Sequence, residues 1–295
     1  MALAKSQDNE VVDLNVAKIY TQQDLHSAER YSVSDGEAVA FTRSSPEKIT
    51  GNEDTAALVP LGGTSSVLIV ADGVGGLPSG GQASTLAVQT IVNRITHLTD
   101  DQTLRDAILD GIEAANQTVM NLGTGAATTL AVIEIHANTM RAYHAGDSLI
   151  LLTGQRGKLK FQNVRHSPTG YAVESGFMDE SDAIHHEERS LVFNVVGDTN
   201  MRIEICAPIT IAPRDTLLVA SDGLADNLYV EEIVDSIRTG PLQKAAEKLI
   251  GKSHERMRRD SGDGPSHPDD LTFILFRQTS NTVSKKPRQP SMPLK

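Results

Sequence analysis

A strand that ends on an aspartate and runs straight into glycines constrains this chain more than any other feature. The segment VLIVADGVGG covers residues 67–76. Residues 67–70 are apolar and rich in Val and Ile, which predicts a strand covered on both faces. Asp72 follows where the strand leaves the core, and the glycines let the backbone turn sharply beside a ligand. A carboxylate next to a bare carbonyl suits Mg²⁺ or Mn²⁺, but a tight turn with a solvated aspartate explains the segment equally well.

Composition narrows the class of protein. The chain has 295 residues and a net charge of −11, and this acidic balance argues against a nucleic-acid binder. The single cysteine, Cys206, cannot form an internal disulfide, which indicates a reducing compartment. No apolar stretch approaches the roughly 18 residues of a membrane helix, and the N-terminus is too polar for a secretory signal. We therefore expect a cytoplasmic protein with no membrane or nucleic-acid partner.

Periodicity divides the chain into strands and helices. Apolar residues at helical spacing predict one helix over 79–98 and another over 101–122, the latter capped by Asp100 and Asp101. Short strands in succession between 127 and 164 indicate antiparallel pairing. Two further helices are predicted over 230–238 and 242–259 before a last strand.

The domain organisation that we predict has one large unit. Residues 1–27 form an N-terminal arm that is either loose or an edge strand. Residues 28–277 form the domain, and residues 278–295 form a basic tail rich in Pro and Ser that we expect to be disordered. An irregular excursion at about 165–197 is long enough to be functional, and its His166 is a possible metal ligand, whereas His185 and His186 read better as part of a solvated surface.

Acidic residues recur where predicted strands begin or end. Carboxylates that face one another repel, and a folded protein keeps such a cluster only if cations compensate it. Two hard cations about 3.5–4 Å apart lower the pKa of a water and make it a nucleophile, most often for hydrolysis of a phosphate ester. The chain contains no GxSxG elbow and no GxxxxGKS loop, so covalent catalysis and nucleotide binding lack support. The five places are Glu53/Asp54, Asp72, Asp147, Asp222/Asp226 and Asp269/Asp270.

Seven motifs in a fixed order carry a resemblance to a known family. The chain resembles the metal-dependent serine/threonine protein phosphatases of the PPM (PP2C) family, the bacterial branch in particular. That resemblance implies an α+β fold: a four-layer αββα sandwich of two antiparallel sheets flanked by helices, with a flap at about 165–197. The motifs are GNED at 51–54, ADGVGG at 71–76, AGDS at 145–148, RHSPTGYAVESG at 165–176, HHEERSLVFNVVG at 185–197, SDGLAD at 221–226 and DDLT at 269–272.

The resemblance also implies a metal site with two core ions, Mn²⁺ or Mg²⁺. Asp72 would bridge both ions. The carbonyl of Gly73 and the carboxylate of Glu53 would bind one of them, and Asp222 and Asp269 would bind the other. Asp72, Asp222 and Asp269 are accordingly the candidate catalytic residues.

Further carboxylates extend this implied site. Asp54 would hold waters bound to the metals. Asp147, Asp222 and Asp226 match the position of a third ion in the family, so a third ion is left open here.

The sequence departs from the family pattern at two places. An arginine that usually grips the phosphate is replaced by Ile49. Lys48 is adjacent and Arg43 lies further back, so Lys48 is the candidate substitute, as a point charge rather than a bidentate group. The histidine that some members use as a general acid is Val74 here, so another group would have to protonate the leaving alkoxide.

We therefore predict a signalling enzyme that hydrolyses phosphoserine and phosphothreonine in proteins, opposing a Ser/Thr kinase, with a water activated between two divalent cations. Two alternatives remain. One is a catalytically weak relative that acts as a regulatory binding module, for which the missing arginine is the support. The other is a partner-switching phosphatase dedicated to one phosphoprotein. The physiological substrate, the kinase, the metal used in the cell and the oligomeric state do not follow from the sequence.

Overall fold

The protein consists of two β-sheets and the helices that cover them. The computed structural model describes residues 11–46, 48–76, 79–99, 101–258 and 264–279. The strands are β1 (Val12–Asp13), β2 (Lys18–Thr21), β3 (Glu29–Val33), β4 (Gly36–Arg43), β5 (Thr55–Pro60), β6 (Ser65–Ala71), β7 (Leu130–His136), β8 (Thr139–Ala145), β9 (Leu149–Thr153), β10 (Leu159–Gln162), β11 (Glu204–Ile205), β12 (Ile209–Thr210), β13 (Thr216–Ala220) and β14 (Leu271–Gln278). The helices are α1 (Gly80–Thr96), α2 (Leu104–Met120), α3 (Pro168–Glu174), α4 (Glu180–Ala183), α5 (Asp222–Ala225), α6 (Val230–Ile237) and α7 (Leu242–Met257).

The two sheets are almost entirely antiparallel. The first has the order β1-β3-β4-β14-β13-β9-β10, and the second has the order β11-β8-β7-β6-β5-β2, with β12 also pairing with β8. Only the short contact of β1 with β3 is parallel among the described strands. The predicted antiparallel pairing is confirmed for β7 and β8.

Three apolar layers hold four layers of structure together. One layer lies between the two sheets, a second lies between the β6 sheet and helices α1 and α2, and a third lies between the β14 sheet and helices α5–α7. Alternation along β6 explains its continuous apolar sequence, since Val67 and Ile69 face the helices while Leu68 and Val70 face the other sheet. The predicted α+β sandwich, two sheets with flanking helices, is confirmed.

Two local predictions need correction. The second helix begins at Leu104, later than predicted, because Thr103 caps it: the Thr103 hydroxyl accepts the N–H of Asp106, and the Asp106 carboxylate accepts the N–H of Thr103. Asp101 is not the cap, and position 100 lies outside the described residues. The helix at 242–259 ends earlier, at Met257.

The chain changes sheets between two strands that follow each other directly. Strand β8 belongs to the second sheet, whereas β9 pairs with β13 and β10 in the first. The crossing is made at Gly146, whose φ of 105° favours glycine. Asp147 follows, and it therefore lies between the two sheets rather than in a hairpin.

Antiparallel register brings the acidic strand ends to one edge of the sandwich. The start of β5 is paired with the end of β6 through Thr55 and Ala71. The end of β13 is paired with the start of β14 through Ala220 and Phe273. The acidic residues that precede β5 and β14 and those that follow β6 and β13 consequently meet at the same end.

The predicted N-terminal arm adds an edge strand to each sheet. Val12–Asp13 forms β1 and pairs with β3, and Lys18–Thr21 forms β2 and pairs with β5. Residues 1–10 and 280–295, which hold the start of the arm and nearly all of the predicted tail, lie outside the described residues. Among the helices of the described chain, none combines the length and apolar character that crossing a membrane requires.

Candidate metal centre

A cleft of about 280 Å³ opens at this acidic end of the sandwich. Five of the predicted metal-binding carboxylates line it together with the predicted phosphate-binding lysine and two residues of the flap. The lining residues are Lys48, Glu53, Asp72, Gly73, Val74, Gly75, Thr129, Asp147, Ser190, Val192, Asp222, His267 and Asp269.

The backbone of Asp72 is locked to the neighbouring strand. Its N–H donates to the hydroxyl of Thr129 at 3.1 Å, and its carbonyl accepts the N–H of Thr129 at 2.8 Å and the hydroxyl of Thr128 at 2.7 Å. These three bonds continue the β6–β7 pairing just past the end of β6. The position of the Asp72 carboxylate is thus set by the sheet.

Gly73 packs against the start of α1 so closely that a side chain does not fit. A Cβ atom on Gly73 would lie 2.4 Å from the carbonyl carbon of Gly80. A Cβ atom on Gly80 would in turn lie 3.2 Å from both the Gly73 carbonyl oxygen and Glu53 Oε1. The two glycines therefore bring the Gly73 carbonyl and the Glu53 carboxylate to the same place, as the predicted ion site requires.

Burial and mutual repulsion act on the carboxylates of the cleft. Burial, with repulsion from Asp54, Asp222 and Asp269, raises the pKa of Asp72 well above its ordinary value. Burial, followed by repulsion from Asp269 and Asp147, does the same to the pKa of Asp222. Burial also raises the pKa of Asp269. Such values belong to carboxylates that are held together without enough positive charge.

Two buried carboxylate oxygens in this group have no hydrogen-bond partner. They are Oδ1 of Asp54 and Oδ1 of Asp222. The other oxygen of Asp54 accepts the Ser221 hydroxyl at 2.9 Å, and burial with repulsion from Asp270 raises the pKa of Asp54 to about 7. Unpartnered carboxylate oxygens beside other carboxylates are what hard divalent cations bind, so the residues present fit a Mg²⁺ or Mn²⁺ centre.

Of the described residues that line the cleft, Lys48 alone is a lysine or arginine. Its Nζ lies 2.7 Å from Glu53 Oε2 and 2.6 Å from Asp270 Oδ2. Burial opposes its charge, but these two partners raise the pKa of Lys48 above its ordinary value. Asp270 also accepts the N–H groups of Ser45 at 2.8 Å and Glu53 at 2.7 Å. Asp270 thus fixes the loop that carries Lys48 and Glu53, a role that its position after Asp269 did not reveal.

Asp147, which lines the cleft, and the buried Asp226 form a second acidic group. Asp226 is buried, and its Oδ1 accepts Nη1 of Arg165 at 3.0 Å. Nε of Arg189 lies 3.8 Å from its Oδ2. Burial raises the pKa of Asp147 to about 7, although Arg165 opposes the shift. Sequence reasoning missed both arginines, since nothing in the chain order pairs them with these aspartates.

The other residues considered as candidates differ in whether they line the cleft. Arg43, at the end of β4, is not among the residues that line the cleft. It lies near His254 instead, whose pKa is lowered by burial and then by the charge of Arg43. Val74 does line the cleft. His267, which the sequence did not single out, also lines it, with Nδ1 at 4.0 Å from Asp269 Oδ2. His185 is exposed on the flap and bonds to the Tyr229 hydroxyl at 3.0 Å.

His166, the other histidine considered as a ligand, belongs to a separate group with His144 and Glu204. Nδ1 of His166 accepts the N–H of Gly146 at 3.1 Å and the amide of Asn194 at 2.9 Å. The ring proton is therefore on Nε2, which donates to Glu204 at 3.0 Å. Because Nε2 has no free lone pair in this arrangement, the group reads as a hydrogen-bond network rather than a metal site.

Most of the chain matches one family of known proteins. The family model described as protein phosphatase 2C matches residues 47–260. Protein phosphatase PhpP of Streptococcus pneumoniae is 28% identical over 213 residues, which cover 69% of this chain and 86% of that protein.

Solved structures share the fold. The serine/threonine phosphatase of S. agalactiae superposes with a TM-score of 0.71 at 23% identity, covering 83% of this chain and 100% of that one. The catalytic domain of the serine threonine protein phosphatase PstP, in complex with two manganese ions, superposes with a TM-score of 0.65 at 21% identity, covering 81% and 96%. At these identities the likeness is one of fold.

Proposed function

This chain belongs to the protein phosphatase 2C family and is a metal-dependent serine/threonine protein phosphatase, and from this premise we propose how its own residues carry the activity. Asp72, Asp222, Asp269, Glu53 and the Gly73 carbonyl hold two divalent cations, Mn²⁺ or Mg²⁺. The observation that carries the proposal is the convergence of these four carboxylates, with Asp147 beside them, on one cleft. When bound, two such cations supply a nucleophilic water at neutral pH and neutralise the phosphate.

The protein's part in the reaction is to hold this charge in place. Asp72 spans the centre because its backbone is fixed between β6 and β7, and Asp222 and Asp269 face it from the β13–β14 pair. Asp54 is buried with one unpartnered carboxylate oxygen and would hold water at the cations. Fixed charges of this kind need no reorganisation as the phosphate reacts.

Lys48 binds the substrate phosphate in this proposal. Its ammonium group has three donors, and Glu53 and Asp270 take two of them. The third is left for a phosphate oxygen in the cleft. A lysine attracts the phosphate as a point charge and lacks the two-pronged grip of an arginine.

The substrates are phosphorylated proteins, and a Ser/Thr kinase is the opposing enzyme. PhpP and PstP are both named as protein phosphatases, which supports this class of substrate. The lone Cys206 supports a reducing compartment such as the cytoplasm. The regulatory-module alternative loses ground because none of the predicted metal-binding carboxylates is absent. Dedication to one phosphoprotein would change the substrate and leave this chemistry unaltered.

The test is hydrolysis of an aryl phosphate and of phosphoserine and phosphothreonine peptides by the full chain. We expect activity with Mn²⁺ or Mg²⁺ and its loss in EDTA. Restoring Mn²⁺ after EDTA should restore the rate, which separates metal removal from unfolding. Absence of activity with Mn²⁺, or a rate that EDTA leaves unchanged, would refute the proposal.

A further inference from the structure

The second acidic group already has cations, and they come from the chain itself. Arg165 contacts one oxygen of Asp226 at 3.0 Å, and Arg189 lies 3.8 Å from the other. The side chains of Asp226 and Arg165 are 2% and 15% exposed, so water screens this pair little.

The charge of Arg165 extends beyond its hydrogen bond. Burial disfavours the charged guanidinium, but Asp226, Asp147 and Asp222 together raise the pKa of Arg165. Arg165 therefore acts on both Asp147 and Asp226, and Arg189 lies near Asp226. The group around the cleft is different. Lys48 pairs with Glu53 and Asp270, whereas burial and mutual repulsion act on the carboxylates of Asp54, Asp72, Asp222 and Asp269.

The backbone on either side of Arg165 is clamped to the segment that carries Asp147. Asn163 exchanges hydrogen bonds with Ile150 and donates to the carbonyl of Ser148 at 3.0 Å. His166 donates its N–H to the carbonyl of Gly146 and accepts the N–H of Gly146 on its ring. The backbone that carries Arg165 is therefore hydrogen-bonded on both sides to the segment that carries Asp147.

We propose that the guanidinium of Arg165, supported by Arg189, takes the place of a third metal ion beside Asp147 and Asp226, so that this chain binds two divalent cations and not three. The inference rests on the proposed function, since it concerns the same centre. A divalent ion entering here would meet the guanidinium of Arg165, which already donates to one oxygen of Asp226. It would also meet the guanidinium of Arg189, whose Nε lies 3.8 Å from the other oxygen. Arg165 is a positioning residue in this account, because it acts through Asp226 and Asp147.

The experiment counts ions on the full chain. Wild-type protein and variants are dialysed to equilibrium against saturating Mn²⁺, and the bound metal per chain is measured by elemental analysis. We expect two ions on the wild type and two on Arg165→Lys, which keeps the charge. We expect three on Arg165→Gln, and two again on the double variant Arg165→Gln/Asp226→Asn. Arg30→Gln, which breaks the bidentate Arg30–Glu37 pair far from the cleft, is the matched control and should bind two.

Stability in Mn²⁺ provides a second measurement. Without metal, Arg165→Gln removes the cation nearest to Asp226 and Asp147 and should melt lower than the wild type. Raising Mn²⁺ should recover more of its melting temperature than it adds to the wild type, and the double variant should lose this extra gain.

Each outcome has a defined meaning. Three ions on the wild type, or two on a folded Arg165→Gln, would overturn the inference while leaving the phosphatase activity intact. If Arg165→Gln does not fold, Asp226→Asn alone decides: a count that stays at two supports the inference, and a count that falls by one from the wild type overturns it. A wild type that binds no Mn²⁺ and is insensitive to EDTA would refute the proposed function itself.

Discussion

Two groups of carboxylates lie at the same end of this sandwich and are stabilised in different ways. The core group around Asp72, Asp222 and Asp269 faces the cleft with one lysine beside it. The side group of Asp147 and Asp226 is buried against Arg165 and Arg189. The difference teaches that acidic strand ends alone do not define metal ligands. A carboxylate with an internal cation is already compensated, whereas one without such a partner calls for an ion from solvent.

The sharpest contrast comes from neutralising one carboxylate in each group. Asp72→Asn should lower kcat at least about 100-fold, since even outer partners of metal ligands are worth ~10–100-fold. Asp226→Asn should lower kcat by about 10-fold or less, because its effect reaches the reaction through Asp147 and the flap. Steady-state rates with an aryl phosphate in Mn²⁺ give both values. Asp235→Asn, whose side chain is 71% exposed, is the control. Equal losses in the two variants would erase the distinction between the groups.

The glycines of the cleft loop offer a second test of the core group. Gly73→Ala would put a Cβ atom 2.4 Å from the Gly80 carbonyl carbon, so the loop must move and its carbonyl must leave the ion site. We expect Mn²⁺ affinity and activity to fall by about 10–100-fold. Gly75→Ala meets no atom within 4 Å and should behave as wild type. Titration of Mn²⁺ against activity distinguishes the two, and a wild-type Gly73→Ala would show that the close packing is dispensable.

In the proposed reaction, Lys48 contacts both the core group and the phosphate of the substrate. Lys48→Ala should raise KM for an aryl phosphate about 10-fold, or ~1.4 kcal/mol, with a smaller change in kcat. Lys160→Ala is the matched control, because Lys160 forms a similar 2.6 Å pair with the buried Asp215. The control should cost stability without altering KM. An unchanged KM in Lys48→Ala would exclude Lys48 as the phosphate ligand.

The smallest effect that we expect is on how the stability of the metal-free protein changes with pH. Burial, with repulsion from Asp270, raises the pKa of Asp54 to about 7, against about 3.9 in an unfolded chain. A group whose pKa is raised on folding stabilises the fold at low pH, and this contribution is lost as the pH rises through the folded value. In EDTA, the melting temperature should therefore fall between about pH 5 and pH 8.

Mn²⁺ should remove most of that fall, since bound cations favour the ionised carboxylates. Asp54→Asn should flatten the slope in EDTA. The comparison is made by calorimetry across the pH range, with and without metal. A melting temperature that rises with pH in EDTA would contradict the raised pKa of Asp54 and the repulsion among the carboxylates of the core group.

Much of the core group could be predicted because each part is a local feature. An apolar strand that stops at Asp72 and turns through Gly73 is visible in ten consecutive residues, and the same holds for Asp222 after β13. Antiparallel pairing of neighbours then brings these ends together. The order of the seven motifs indicated the family, and the resemblance to that family implied the four-layer fold.

The contacts that set the charge balance could not be predicted in this way. Lys48 and Asp270 are 222 residues apart, and Arg165 and Asp226 are 61 apart. Neither pair shares a period, a turn or a strand pairing, so no local rule connects them. Only the register of the two sheets decides which charged side chains face one another.

By itself, the sequence determined where carboxylates would leave the core, because strand ends and glycine turns are specified by residues that are adjacent in the chain. The tertiary structure alone decided which of those carboxylates had a cation of their own. After β8 the chain crosses to the other sheet at Gly146, which brings Asp147 and the stretch around Arg165 together beside the cleft. The physical reason is that electrostatic compensation depends on distance in space, and the fold sets that distance between residues far apart in the chain.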